Sequence, residues 1–300
     1  MARARPLRCG IAQGIVCRRL FALGVGRNLR RIGKLNARRL AIPDAKRHQK
    51  GHDLDGFAFW ILAATAAACV GLSKGGLPAF GMLAVPLLSL VISPVAAAGL
   101  ILPVFVFSDI FGVWAYRREY RADVVRIAVL GVLLGGAIGW ATATIVSEQF
   151  VRLLIGVIGG SFALNLLLRR AINTRSQDPT WGKGVFWTTV AGFTSFVSHA
   201  GAPPWQVWAL PLGMTKLAFA GTTTIVFAVM NLSKVVPYYV LGQLDLANLR
   251  VAAVLMIPAL IAVFVGYKLV RVLPDKVFFT IVAWTLLLVS TRLIWDGLGL

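Results

Sequence analysis

Acidic residues are scarce in this chain: 11 Asp and Glu among 300 residues, against 31 Lys and Arg. Charged residues of both signs make up only 14%, where a soluble domain carries about 25%. So few charges cannot clothe a water-facing surface, which excludes an ordinary soluble protein. Cysteine is also rare. Cys9, Cys17 and Cys69 form neither a metal-spaced set nor a disulfide framework. There is no P-loop, no Gly-x-Ser-x-Gly elbow and no Ser/His/Asp constellation. Gly75-Gly76 has no strand–helix context and is not a nucleotide fingerprint. The chain is therefore expected not to be an enzyme, to need no cofactor or metal, and not to drive transport with ATP by itself.

What is abundant is apolar: 58% of residues, with mean hydropathy +0.79. This rules out disorder as the general state and makes an integral membrane protein the default. The net charge of +20 raises nucleic acid as a partner, so its placement matters. Residues 1–56 hold 14 Lys/Arg and 3 Asp/Glu, leaving 17 and 8 for residues 57–300. The segment 1–56 lacks a spanning run and a secretory h-region. It is read as a basic tail, either disordered or upstream of a misplaced start codon; lying on anionic lipid or binding nucleic acid are the sharper alternatives. No nucleic-acid partner is expected for the body of the chain.

From Phe57 onward, ten hydrophobic segments alternate with short polar breaks: 57–72, 79–92, 95–116, 124–146, 151–168, 184–198, 204–214, 217–240, 249–270 and 277–295. The expected fold is all-α, a polytopic integral membrane protein of 8–10 membrane helices. Four short segments come in two pairs, joined by Ser73–Pro78 and by Ser198–Pro204. Paired Gly/Pro-interrupted segments at matching places in two halves point to a transporter binding site. The halves do match. At an offset of 125, Ser73, Gly76, Pro78 and Pro86 fall on Ser198, Gly201, Pro203 and Pro211. At an offset of 122, Gly99, Phe105, Tyr116 and Asp123 fall on Gly221, Phe227, Tyr238 and Asp245, and Asp109 falls on Asn231. This predicts a first repeat over 57–170, a cytoplasmic linker over 171–183 and a second repeat over 184–296. Five segments per half make the second repeat run opposite to the first. Basic loops (Arg117, Arg118, Arg121; Arg169, Arg170, Arg175, Lys183; Arg271, Lys276) then share the cytoplasmic side by the positive-inside rule. The same path puts residue 57 outside, in conflict with the basic tail before it.

The run Gly71-Leu-Ser-Lys-Gly-Gly-Leu-Pro78 through Pro86-Leu-Leu88, its echo Ser198 to Pro204 through Pro211-Leu212, and Tyr116-Arg-Arg-Glu-Tyr-Arg121 resemble the sulfite exporter TauE/SafE family. The resemblance covers about residues 57–296, with Gly201-Ala202 where other members have Gly-Gly. It implies a polytopic inner-membrane transporter for sulfite, sulfoacetate or arylsulfonates.

Polar residues inside a bilayer are costly and mark functional sites by default. Ser73, Lys74, Gly75, Gly76, Ser198, His199 and Gly201 are the candidate substrate-binding residues. The cation and imidazole would supply charge and donors, the glycines close backbone approach, and the proline-led short helices an anion-favouring start. Asp109, Asn231 and Lys234 are candidates for coupling or gating, with a proton or sodium as the candidate coupling ion. Lys234 could instead simply pair with Asp109 or Asn231. Phe80, Trp205 and Trp208 are candidate pocket-lining aromatics, with core packing the plainer reading. Lys216 is expected at an interface. Rival functions are transport of another solute such as a cation, and a non-transporting membrane scaffold.

Overall fold

A computed structural model describes residues 56–142, 145–168, 177–244 and 246–299. The basic tail, residues 171–176 of the linker, Arg169, Arg170, Arg175 and Asp245 lie outside the described residues. Among the described residues there are ten α-helices and no strand: α1 (Phe57–Lys74), α2 (Ala84–Leu88), α3 (Pro94–Tyr116), α4 (Ala122–Thr142), α5 (Glu148–Leu168), α6 (Trp181–Ser198), α7 (Ala202–Ala209), α8 (Lys216–Val240), α9 (Leu246–Val272) and α10 (Asp275–Leu298). Short 3-10 turns, Pro78–Leu83 and Leu210–Leu212, complete the two broken pairs. Seven helices (α1, α3, α4, α5, α8, α9 and α10) are long and apolar enough to cross a membrane. Large apolar side chains such as Ile110, Leu232, Ile257 and Leu288 stand more than 60% exposed, far more apolar surface than water tolerates on a monomer. The protein is an all-α, multi-pass membrane protein.

The predicted segments and the helices agree in order and nearly in bounds, with two differences. The segment 79–92 is a 3-10 turn plus a five-residue helix, because Pro78 and Pro86 interrupt backbone donation. Helix α6 is as long as α1, 18 residues, yet is more polar and is not among the seven. It buries Gly184, Thr188, Ala191 and Gly192 and lies along α4, so it has less lipid to face.

The helix pairs explain themselves through small residues. On α4, Gly131, Gly135 and Gly139 recur every fourth position, the spacing that lets membrane helices approach closely. A Cβ on Gly131 would fall 1.9 Å from Thr188 Oγ1, on Gly135 2.0 Å from the Thr189 carbonyl, and on Gly139 2.8 Å from Phe196 Cβ. Helix α6 thus lies parallel to α4. In the same way Gly71 of α1 and Gly75, just past its end, abut Ala259 and Gly266 of α9. Exchanging the halves turns the pair α1–α9 into α6–α4, so the packing itself repeats.

Two further contacts give the relative direction. A Cβ on Gly99, near the start of α3, would meet the Gln243 carbonyl just past the end of α8, at 2.2 Å. A Cβ on Gly221, near the start of α8, would meet the Glu119 carbonyl just past the end of α3, at 1.9 Å. Equivalent helices α3 and α8 therefore run antiparallel, each starting where the other ends. Both starts are capped alike: Ser93 and Thr215, again 122 apart, accept from the backbone N–H three residues on, each at 3.3 Å, a contact worth about 1 kcal/mol. Arg117, Arg118, Lys183, Lys216 and Arg271 gather at one end of the bundle, since α3 and α9 finish there and α6 and α8 begin there. Helix α1, parallel to α9, runs toward that basic end, so Phe57 starts at the opposite one.

Candidate functional site

Asp109 and Asn231 are equivalent residues of the two halves, and they touch. Asn231 Nδ2 donates to Asp109 Oδ2 at 2.8 Å. Only a symmetry axis brings equivalent positions together, so this contact marks the pseudo-twofold axis near the middle of α3 and α8. Lys74, the last residue of α1, joins it with Nζ 2.8 Å from Asp109 Oδ1. The ammonium also lies 5.1 Å from the ring centre of Phe105 and 5.6 Å from that of Phe227, another equivalent pair, in cation–π range. Thr224 Oγ1 donates to the Lys74 carbonyl at 3.3 Å. The plainer alternative for Lys234 was a pairing with Asp109 or Asn231; Lys74 is the cation that pairs with Asp109, because α1 ends beside the axis while Lys234 lies one turn beyond Asn231.

Lys234 is 2% exposed and makes no hydrogen bond or ion pair among the described residues. It is close enough to Lys74, Asp109 and His199 to act on them electrostatically. Asn231, Lys234 and Tyr238 follow at i, i+3 and i+7, one face of α8. That face leads from the axis to a cavity of about 240 Å³. Its polar walls are Arg152, Ser198, His199, Tyr238 and Gln243, among Val85, Val95, Ala98 and Phe196. Among the described residues no Asp or Glu lines it. Val95 and Leu241 of its wall are exposed and stand at the end away from the basic loops.

His199 is the key residue at the cavity floor. It is the one non-glycine residue with positive φ among the described residues, φ 54°, where it ends α6 in the left-handed conformation that usually falls to glycine. Such a conformation costs of order 1 kcal/mol or more and persists when the surroundings over-determine it. Here Tyr238 Oη lies 2.9 Å from His199 Nε2, and the ring stacks on Phe105 with centroids 6.3 Å apart. Phe105 thus touches both the imidazole and the Lys74 ammonium.

At the basic end a cavity of about 460 Å³ is lined by Ala115, Arg117, Arg118, Glu119, Tyr267 and Arg271, and the break behind it is closed. Tyr116, the equivalent of Tyr238, is fully buried and donates to the Gly75 carbonyl at 2.6 Å. Arg271 pairs with Glu119 at 3.4 Å. Lys216 Nζ donates to the Arg271 carbonyl at 3.2 Å and to the Leu273 carbonyl, and pairs with Asp275 at 3.5 Å. Lys216 is thus at the basic interface.

Several candidates sit elsewhere than expected. Trp205 and Trp208 do not line the cavity; both are core residues, and Trp205 Nε1 donates to Thr223 Oγ1 at 2.9 Å. Phe80 packs partly buried against the same core. The room expected for a ligand at the glycines is filled by protein. A Cβ on Gly75 would meet Gly266 at 2.6 Å, on Gly76 the Tyr116 hydroxyl at 2.6 Å, and on Gly201 Ser195 Cβ at 2.8 Å. Gly76 also needs its φ of +112°. Ser73 Oγ donates to its own helix at the Val70 carbonyl, 2.6 Å, and Ser198 Oγ to the Thr194 carbonyl, 3.1 Å. Only Ser198 and His199 of the expected binding set line the cavity. Arg152, Tyr238 and Gln243 were missed. The tyrosine was legible through its match with Tyr116, whereas Arg152 stands near a helix start with no motif to mark it. Among the described residues no cluster of three or more His, Cys, Asp or Glu could hold a metal.

The family model described as sulfite exporter TauE/SafE matches residues 62–293. No curated protein and no solved structure matches the chain.

Proposed function

The chain belongs to the sulfite exporter TauE/SafE family and is a multi-pass membrane transporter; from that premise we propose that it carries a small sulfur-containing anion, sulfite or an organosulfonate, by alternating access. The observation that carries this reading is the donor chemistry of the cavity. Arg152, which pairs with Asp296 at 3.8 Å, lines it with His199, Ser198, Tyr238 and Gln243, and among the described residues no carboxylate does, a set suited to oxyanion oxygens. A cation would need Asp109, and that carboxylate is already engaged by Lys74 and Asn231.

Alternating access is supported by the two tyrosines. Equivalent residues in inverted halves have unequal surroundings: Tyr238 walls a cavity while Tyr116 closes the break of its own half. Exchanging those roles would move the opening from one end to the other without moving the axis. By the positive-inside rule the basic end faces the cytoplasm and the cavity faces outward, in a plasma membrane. The proton and sodium are the candidate coupling ions, with Asp109, Asn231 and Lys234 as the gating cluster.

Proteoliposomes holding the full chain test this. Uptake or counterflow of radiolabelled sulfite, taurine, sulfoacetate and an arylsulfonate is compared with sodium and potassium. Saturable movement of at least one sulfur anion is expected, weakened by Arg152→Gln and His199→Gln. Movement of a cation with no response to any of the anions would overturn the reading.

A further inference from the structure

Three charged side chains are buried among the described residues: Lys74, Asp109 and Lys234. Two are cations and one is a carboxylate. Lys74 and Asp109 neutralise each other at 2.8 Å. Asn231 completes the carboxylate without adding charge. One positive charge is left over, on Lys234, in the middle of a helix that crosses the membrane. An uncompensated lysine at such a depth is costly, and here it also faces the like charge of Lys74. Membrane proteins keep such a charge where something neutralises it during function.

We propose that Lys234 is the counter-ion of the transported anion, and that the site accepts one negative charge and not two. The inference rests on the anion-transporter reading above and adds the charge class of the solute. Position supports it. Lys234 lies between Asn231 at the axis and Tyr238 at the cavity wall on one face of α8, within electrostatic reach of His199. An anion that moves inward past His199 meets Lys234 before it meets the Lys74–Asp109 pair. The repeat supports it too. At the offset of 122 the first half places Gly112 where the second has Lys234. A Cβ on Gly112 would lie 3.2 Å from Lys74 Cβ and 3.0 Å from the Lys74 carbonyl. That half therefore spends the equivalent space on seating the paired lysine. The halves divide the labour: one cation is structural and the other is available. Arg152 at the cavity wall is matched by Asp296 at 3.8 Å and adds no net charge, so a monoanion brings the count to zero. A dianion leaves one uncompensated negative charge, as unfavourable in the membrane interior as the empty site.

The experiment uses ligands with one head group and different charge. Methanesulfonate and 1,2-ethanedisulfonate are titrated against the purified full chain, with sulfate, nitrate and acetate as further probes. Binding is read by isothermal calorimetry and by the shift in thermal midpoint. Wild type should bind methanesulfonate and disfavour ethanedisulfonate and sulfate by about tenfold or more. Lys234→Gln should weaken methanesulfonate by about 10- to 100-fold, the range for losing one charge-assisted contact, and Lys234→Arg should keep most of it. Without ligand, Lys234→Gln should melt no lower than wild type, because it removes an unpaired charge. Equal affinity for the mono- and disulfonate, or unchanged methanesulfonate binding in Lys234→Gln, overturns the proposal and leaves sulfur-anion transport standing. Lys234-dependent binding of nitrate or acetate with no response to any sulfonate or sulfite does the reverse: the single-charge site stands and the sulfur solute falls.

Discussion

Removing the Asp109 charge should be the most damaging isosteric change in the molecule. Asp109→Asn keeps size and shape but leaves Lys74 and Lys234 buried together, raising the charge of the cluster from +1 to +2. Lys74→Met lowers it from +1 to 0, since Asp109 then has Lys234 nearby and Asn231 still donating at 2.8 Å. The two substitutions break the same ion pair, so a purely pairwise view predicts equal costs. Counting the third charge predicts unequal ones. Stranding a buried charge costs about 3–5 kcal/mol, which Asp109→Asn should pay in full and Lys74→Met only in small part. In a chain of this size 1 kcal/mol moves the thermal midpoint by about 2–4 °C, so Asp109→Asn should melt roughly 6–20 °C lower. The double variant returns the cluster to +1 and should recover a large part of that loss. Fluorescence-detected size exclusion after heating, in one detergent, ranks all four proteins. The reasoning is refuted by a Lys74→Met protein as unstable as Asp109→Asn, or by a double variant no better than Asp109→Asn alone.

Other substitutions separate packing from function. Gly221→Val should abolish folded protein, because its Cβ would stand 1.9 Å from the Glu119 carbonyl, whereas Gly182→Ala, with nothing within 4 Å, should express at wild-type level; yields after solubilisation decide this. Trp205→Ala should lose about 3–5 kcal/mol as a core residue, while Trp205→Phe, which gives up mainly the bond to Thr223, should still bind sulfonate with wild-type affinity by calorimetry. Tyr116→Phe should cost only about 1 kcal/mol yet loosen the break behind it, seen as faster maleimide labelling of a cysteine placed at buried Thr224; unchanged labelling would assign the closure to the Glu119–Arg271 contact instead. Lys216→Ala should leave methanesulfonate affinity unchanged in the same titration, since its amine serves backbone carbonyls at the basic interface.

Much of the fold was readable because membrane helices announce themselves. An apolar run of about 20 residues has few alternatives, and two Pro-led breaks 125 residues apart are hard to produce by chance. The spacing Gly131, Gly135 and Gly139 was equally readable and was overlooked; it identifies the face of α4 that meets α6. The candidate site was less legible for a different reason. Sequence places polar residues along a helix but not around it, so Lys74 and Lys234 looked alike as buried cations. Their roles part only when α1 is seen to end beside Asp109. Aromatic residues misled for the same reason. Trp205 next to a break suggests a pocket wall, yet its indole finds Thr223, and the aromatic contact beneath the cavity comes from Phe105, 27 residues past Pro78.

The contact between Asp109 and Asn231 also says something about the ancestry open to such a protein. A chain made by duplicating one half begins with the same residue on both sides of its axis. Two aspartates there would set like charges 2.8 Å apart, and two asparagines would leave Lys74 with no carboxylate. Divergence at this one position turns a self-repelling junction into a hydrogen bond and gives the lysine its partner. Neither half can now be replaced by a copy of the other, and a dimer of either half alone would lack the junction that the single chain has.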